Sequence, residues 1–234
     1  MSESVNSPSN SPEDSPVDIQ IKGPGAVQSA NSKGSRPPTH VLRLGLAFLG
    51  VAVLMSIAVI VVRLWLLPMS ATSYTSRGDA YADRGDYDHA IADYNKAIQL
   101  DPDNALIHNN RGLAYADKGD YDQAIVDYDR AIQLRPDDAT AYNNRGLAYD
   151  YKGNLDHAIA DYDRAIEFQP SFAIAYNNRG LAYDHKENYD RAIADYNKAI
   201  ELQPNNAKFY NNRGYAYANK GDYARAIVDY GGFS

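Results

Sequence analysis

The sequence predicts an all-α solenoid of stacked helix-turn-helix repeats, preceded by a disordered arm and one apolar helix. Three observations predict it. Gly78, Gly112, Gly146, Gly180 and Gly214 recur every 34 residues, and Pro102, Pro136, Pro170 and Pro204 keep the same period. The chain holds 20 tyrosines against one tryptophan and five phenylalanines, and every tyrosine lies after residue 73. Between these glycines and prolines, apolar residues fall at helical spacing, and a fixed period of this length marks a repeat architecture.

Composition removes several classes of function. The 234 residues include no cysteine, so disulfides, thiolate catalysis and cysteine-bound metals are excluded. The net charge of −7 argues against a nucleic-acid partner. No Gly-x-x-x-x-Gly-Lys loop is present to cradle a phosphate. The carboxylates repeat with the fold, which gives them a structural reading, and His89 and His157 lie 68 residues apart, far from metal-ligand spacing. No catalytic residue, metal or cofactor is expected, and the chain is read as a non-enzyme.

Residues 1–40 are rich in Ser, Pro, Asn and Gly and poor in large apolar side chains. They cannot bury enough surface to offset the entropy of ordering, so a disordered arm is expected. Residues 44–62 form an apolar run of nineteen residues without a charge, bracketed by Arg43 and Arg63. At about 1.5 Å per residue the run spans about 28 Å, close to the hydrocarbon layer of a bilayer. A single transmembrane helix over residues 41–67 is therefore expected, stopped by Pro68. Lys33, Arg36 and Arg43 on the arm side outnumber Arg63 and Arg77 on the other, which places the N-terminus in the cytoplasm and the repeats on the opposite side.

From residue 71 the units run 71–104, 105–138, 139–172 and 173–206, with a partial fifth at 207–234. In the second unit, Gly112 and Tyr115 sit on one helix, Lys118-Gly119-Asp120 breaks it, and Ala124, Tyr128, Ala131 and Ile132 share one face of the next. Pro136 closes the unit. These positions, repeated over four complete units, resemble the tetratricopeptide repeat (TPR) family. The resemblance covers residues 71–234 and implies a TPR α-solenoid, because one helix pair cannot bury its apolar face alone and a stack can.

The chain departs from the family in two coupled places. Arg77, Arg111, Arg145, Arg179 and Arg213 stand before the repeat glycine, and Asp93, Asp127, Asp161, Asp195 and Asp229 precede the second-helix tyrosine. A recurrent Arg–Asp pair between helices is one reading; the other is that each arginine runs out to water past its neighbours. Glu187 stands where other units have a turn glycine, so that turn must avoid positive φ or carry strain.

Paired asparagines, Asn109-Asn110, Asn143-Asn144, Asn177-Asn178 and Asn211-Asn212, recur in the first helix. Asn is a mediocre helix former, so its repetition needs a reason. By resemblance, the first helices line the concave surface. The second Asn of each pair falls where the repeat region of O-linked N-acetylglucosamine transferase, a family member, carries an asparagine ladder that holds extended peptide backbone. An amide both donates and accepts, so it can grip a peptide regardless of sequence. Leu113, Leu147 and Leu181, three residues on, would give the ligand an apolar strip. The rival reading is that the amides are structural. The Lys–Asn clamp of chaperone-binding TPR proteins is absent, Asn109 and Leu113 standing in its place.

Residues 1–70 carry four acids and five bases, so the repeats carry −7 − 1 = −8. A groove lined by Asp83, Asp117, Asp150 and Asp184 would favour a neutral or basic partner. The expected function is a scaffold that binds a partner polypeptide, as an extended segment, in the concave groove. The alternatives are self-association through the open C-terminal face of Ala226, Ile227 and Tyr230, or a remnant of a longer TPR-containing enzyme or regulator.

Overall fold

The computed structural model describes residues 53–59 and 69–231. The arm at 1–40 and most of 41–67 lie outside the described residues. The single-pass membrane localisation, with its cytoplasmic N-terminus and repeats across the bilayer, is corrected: among the described residues no helix is long and apolar enough to cross a membrane. Of the apolar run only residues 53–59 are described. These are helical, and at about 1.5 Å per residue they span about 10 Å, a third of a hydrocarbon layer.

From residue 71, ten helices pair into five hairpins. They are α1 (Ala71–Ala82) with α2 (Tyr87–Leu100), α3 (Ala105–Asp117) with α4 (Tyr121–Leu134), α5 (Ala139–Tyr151) with α6 (Leu155–Phe168), α7 (Ala173–His185) with α8 (Tyr189–Leu202), and α9 (Ala207–Asn219) with α10 (Tyr223–Gly231). No strand occurs among the described residues. Most helices start on a side-chain cap: Asp86, Asp120 and Asn188 accept the backbone N–H of the third residue on, as does Ser70. Phe172 breaks the series at α7; it offers no capping oxygen and instead packs beside Tyr142 and Ala165.

The hairpin turns use the left-handed region. Gly85, Gly119, Gly153 and Gly221 have φ between +75° and +88°, and Glu187 takes φ +58° in the same role. Two backbone bonds hold it there, Glu187 N–H to Asp184 O at 2.8 Å and Asn188 N–H to Tyr183 O at 2.8 Å. Other hairpins close in the same way, as in Asp120 N–H to Tyr115 O. The closure wins over the preference of a glutamate for negative φ, so Glu187 sits strained.

The core is built from tyrosines and alanines. Tyr94, Tyr128, Tyr162 and Tyr196 are the largest fully buried side chains, and alanines such as Ala124, Ala131, Ala158 and Ala165 are wholly buried around them. The repeat glycines make room for these rings: a Cβ at Gly146 would lie 2.8 Å from the Tyr162 ring and 3.2 Å from the Ala158 carbonyl oxygen.

Every unit carries the Arg–Asp pair. Nε and Nη2 of Arg77, Arg111, Arg145, Arg179 and Arg213 donate to both oxygens of Asp93, Asp127, Asp161, Asp195 and Asp229 in the same hairpin. The aspartates are buried, and Arg77 holds the Asp93 carboxyl below the usual carboxylate range. From the second unit on the same pattern extends backward: Nη1 of Arg111 donates to Asn95 at 2.6 Å, that of Arg145 to Asp129 at 2.5 Å, that of Arg179 to Asp163 at 2.5 Å and that of Arg213 to Asn197 at 2.7 Å. Each of these four guanidiniums thus ties three helices, whereas Arg77 in the first unit ties two.

Candidate peptide-binding groove

The inner face follows from which helices touch. Each first helix contacts the next first helix, α1 with α3, α3 with α5, α5 with α7 and α7 with α9, whereas successive second helices do not meet. Such an array curves toward its first helices, which therefore form the concave surface.

Asparagines cross that surface in a ladder. Nδ2 of Asn144 donates to Oδ1 of Asn109 at 3.1 Å, Asn178 to Asn143 at 3.0 Å, and Asn212 to Asn177 at 2.8 Å. At the first step Thr75 stands where an asparagine would continue the row, and Asn110 donates instead to Asp79, one turn on, at 3.1 Å. Within two pairs the first amide also donates to the second, Asn143 to Asn144 and Asn177 to Asn178, at 3.4 Å each. The structure separates the two members of each pair. Asn109, Asn143 and Asn177 are buried with their oxygens engaged, Asn110, Asn144 and Asn212 are half-buried, Asn178 is buried, and Asn211 is exposed.

Each second asparagine uses one of its two N–H donors for the ladder. Asn144 retains the other donor and one lone pair, the complement of a peptide C=O and N–H. The leucines lie beside it. Leu113 is 45% exposed, while Leu147 and Leu181 are half-buried. Clefts follow the row. One of about 250 Å³ holds Leu113, Asn144, Leu147, Asp117 and Tyr151, and one of about 230 Å³ holds Asn110, Leu113 and Asp79. A third of about 440 Å³ gathers Asn178, Leu181, Asn211 and Asn212. In the first of these, Tyr121 and Tyr151 stack at 5.0 Å between centroids and wall one end.

The four acids do not form one row. Asp83 and Asp117 are five residues after their repeat glycines and exposed; Asp150 and Asp184 are four after theirs, rotated inward by about 100°. Asp150 is half-buried and meets Nδ1 of His185 at 3.3 Å, and Asp184 is buried beside Asn219. Burial pushes both carboxyls above their ordinary value. The offset from the glycine was readable in the sequence, and a helical wheel would have split the set. The pairing of side chains 35 residues apart was not, because it depends on how far one hairpin is displaced along the next. Among the described residues, no group of three His, Asp or Glu side chains is placed to hold a metal.

Stacked hairpins with an inner amide row define the class, an α-helical repeat scaffold. Family models described as TPR repeat match residues 78–119 and 112–150, and models described as Tetratricopeptide repeat match 139–172, 173–206 and 195–228. Together the matches run from residue 78 to 228, and the chain belongs to the tetratricopeptide repeat family. A crystal structure of MamA is 32% identical, with a TM-score of 0.60, over 66% of this chain and 90% of that one. MamA from Desulfovibrio magneticus RS-1, residue 41 to the end, is 24% identical with a TM-score of 0.63, over 69% of this chain and 92% of that one. YrrB, described as a TPR protein with an unusual peptide-binding site, is 21% identical with a TM-score of 0.55, over 68% and 82%. The last two likenesses show the fold alone. Comparison with curated protein sequences gives no match. The fold is a protein-interaction scaffold.

Proposed function

We propose that this chain is a non-catalytic scaffold that holds an extended polypeptide segment of neutral or basic character along its concave face. The observation that carries this reading is the amide ladder through Asn110, Asn144, Asn178 and Asn212, with donors and acceptors left over beside Leu113, Leu147 and Leu181. Polar groups for a backbone beside apolar clefts for its side chains suit a strand-like ligand. Packed helices lie about 8–10 Å apart, and an extended chain rises about 3.3 Å per residue, so one rung meets about every third residue of the ligand. The bland competitor is that the ladder serves only to register the hairpins. YrrB, a fold neighbour, is described as having a peptide-binding site, which fits the proposal without carrying it.

The test is selection of a displayed library of random twelve-residue peptides on the full chain. Enrichment is expected, and it should vanish when Asn110, Asn144, Asn178 and Asn212 are all changed to Ala while far-UV circular dichroism is retained. Enrichment that survives the fourfold change places recognition elsewhere on the molecule.

A second reading, self-association, draws on Ile227 and Val228 of α10, which are 69% and 71% exposed. Light scattering separates the two: a scaffold alone is a monomer, and a self-associating module gains mass with concentration.

A further inference from the structure

The cleft of about 250 Å³ between α3 and α5 brings an unpaired acid and two aromatic rings together. Asp117 ends α3 there; it is exposed and makes no ion pair or hydrogen bond among the described residues. The last turn of a helix is the wrong end for an anion, because the dipole repels it. The stack does not need the acid either: the equivalent positions in the later units are Tyr151, His185 and Asn219. The same cleft is walled by Tyr121 of α4 and Tyr151 of α5, whose rings stack at 5.0 Å with 11° between planes. Stacking leaves one face of each ring unused, and Tyr151 is 65% exposed. Two rings meet at these positions only here. One repeat earlier the positions hold Tyr87 and Asp117, and one repeat later Leu155 and His185.

Tyr128 also lines the cleft; it is 1% exposed, and its hydroxyl has no hydrogen-bond partner among the described residues. In the first unit the matching hydroxyl of Tyr94 donates to Asp79 at 2.7 Å, but in the second unit Leu113 stands in the place of Asp79 and offers no acceptor. A free carboxylate, an open aromatic face and a free hydroxyl suit a cation carried on an apolar stem, and Leu113 and Leu147 in the same cleft suit the stem. The size agrees. Pockets for small molecules start at about 300 Å³, so this cleft has room for a single side chain. An aromatic side chain would fit the rings and leucines, but it would strip water from Asp117 without pairing it.

We propose that this cleft is a specificity pocket for one lysine or arginine side chain of the bound peptide, with Asp117 as its counter-charge and Tyr151 as its cation–π face. This rests on the groove reading above and names the chemistry at one of its positions. Asn144, the ladder amide in the same cleft, holds the peptide backbone beside the basic residue.

The full chain and its Asp117→Lys variant are panned in parallel against the random twelve-residue library. Peptides enriched on the wild type should align on one Lys or Arg, and those enriched on Asp117→Lys should carry Asp or Glu at that position. A synthetic peptide with the basic residue changed to Gln should bind the wild type about tenfold more weakly, as expected for a lost charge-assisted hydrogen bond. Asp117→Asn should shrink that difference to about threefold, the share of the ring, and Asp117→Asn combined with Tyr151→Leu should abolish it. Asp117 is exposed and unpaired, so its substitutions should keep the far-UV circular dichroism of the wild type. A basic position that persists on Asp117→Lys, a difference undiminished in Asp117→Asn, or wild-type enrichment without an aligned basic residue overturns the pocket and leaves the groove standing. No enrichment of any peptide removes the groove itself, and the pocket with it.

Discussion

Arg111 holds Asp127 by two parallel bonds, Nε to Oδ2 at 2.8 Å and Nη2 to Oδ1 at 2.5 Å, and with Nη1 it reaches Asn95 of the preceding hairpin at 2.6 Å. One side chain therefore closes its own hairpin and fastens it to the last. This explains why the unusual arginine and the unusual aspartate occur together in all five units. A fork of N–H donors is useful only where a carboxylate lies in its plane, and a buried carboxylate is tolerable only under such a fork. The surface series Lys118–Asp88, Lys152–Asp122, Lys186–Asp156 and Lys220–Asp190 repeats as regularly but lies in solvent, where such pairs contribute little.

Breaking one buried pair should hurt far more than removing it whole. Arg145→Met leaves Asp161 buried without its partner and is expected to destabilise the array by about 3–5 kcal/mol. Arg145→Met combined with Asp161→Leu should recover most of that loss, since Asp129, the third member, can turn to water. Urea titration of the two variants checks it; equal losses in both would deny the pair its structural role.

Glu187→Gly should stabilise the protein. The residue sits at φ +58°, where a side chain costs about 1–2 kcal/mol, and part of the relief is returned as chain entropy in the unfolded state. The net gain expected is about 1 kcal/mol by the same titration. Gly153→Glu, at φ +75°, should show the opposite sign.

Gly146→Ala should destabilise despite alanine being the better helix former. The new Cβ would lie 2.8 Å from the Tyr162 ring and 3.2 Å from a backbone oxygen, with no flexible group to yield. Overpacking of this kind costs about 1–3 kcal/mol, against about 1 kcal/mol of helix propensity gained. The melting temperature should fall, and the Tyr162→Phe variant, which keeps the ring, should not rescue it.

The two kinds of buried aspartate should respond to pH with opposite sign. Asp93 has its folded carboxyl lowered by Arg77, so its contribution is present above the unfolded value of about 3.9 and is lost as pH falls through the folded one. Asp184 has its folded carboxyl raised by burial, so it favours folding below about 3.9 and weighs against it as pH rises through the folded value. Asp184→Asn is therefore expected to raise the melting temperature at pH 7, with the gain shrinking toward pH 4. A gain independent of pH would mean that the carboxylate is not the cause.

The repeat architecture was legible because glycine and proline act locally. A glycine in a tight turn or against a ring, and a proline that ends a helix, impose their geometry wherever they stand, so a 34-residue period in Gly112 and Pro136 wrote out the hairpins directly. The Arg–Asp pair was half legible: the co-occurrence suggested a contact, but the contact to Asn95 or Asp129 behind it was not visible. The apolar run at 44–62 satisfied a length rule for a membrane span, and that rule reads hydrophobicity alone; among the described residues no helix is long and apolar enough to cross a membrane.

The sequence by itself determined the hairpin, its turns and the residues that build each small core, since all of these lie within one repeat. Only the tertiary structure decided what one repeat does to the next. It set Asn144 on Asn109 instead of Asn110, brought His185 onto Asp150 one repeat back, and left Asp184 without the arginine that the other buried aspartates have. Those relations depend on the small shift and rotation between stacked helices, a fraction of a turn that side-chain packing fixes and that no spacing along the chain records.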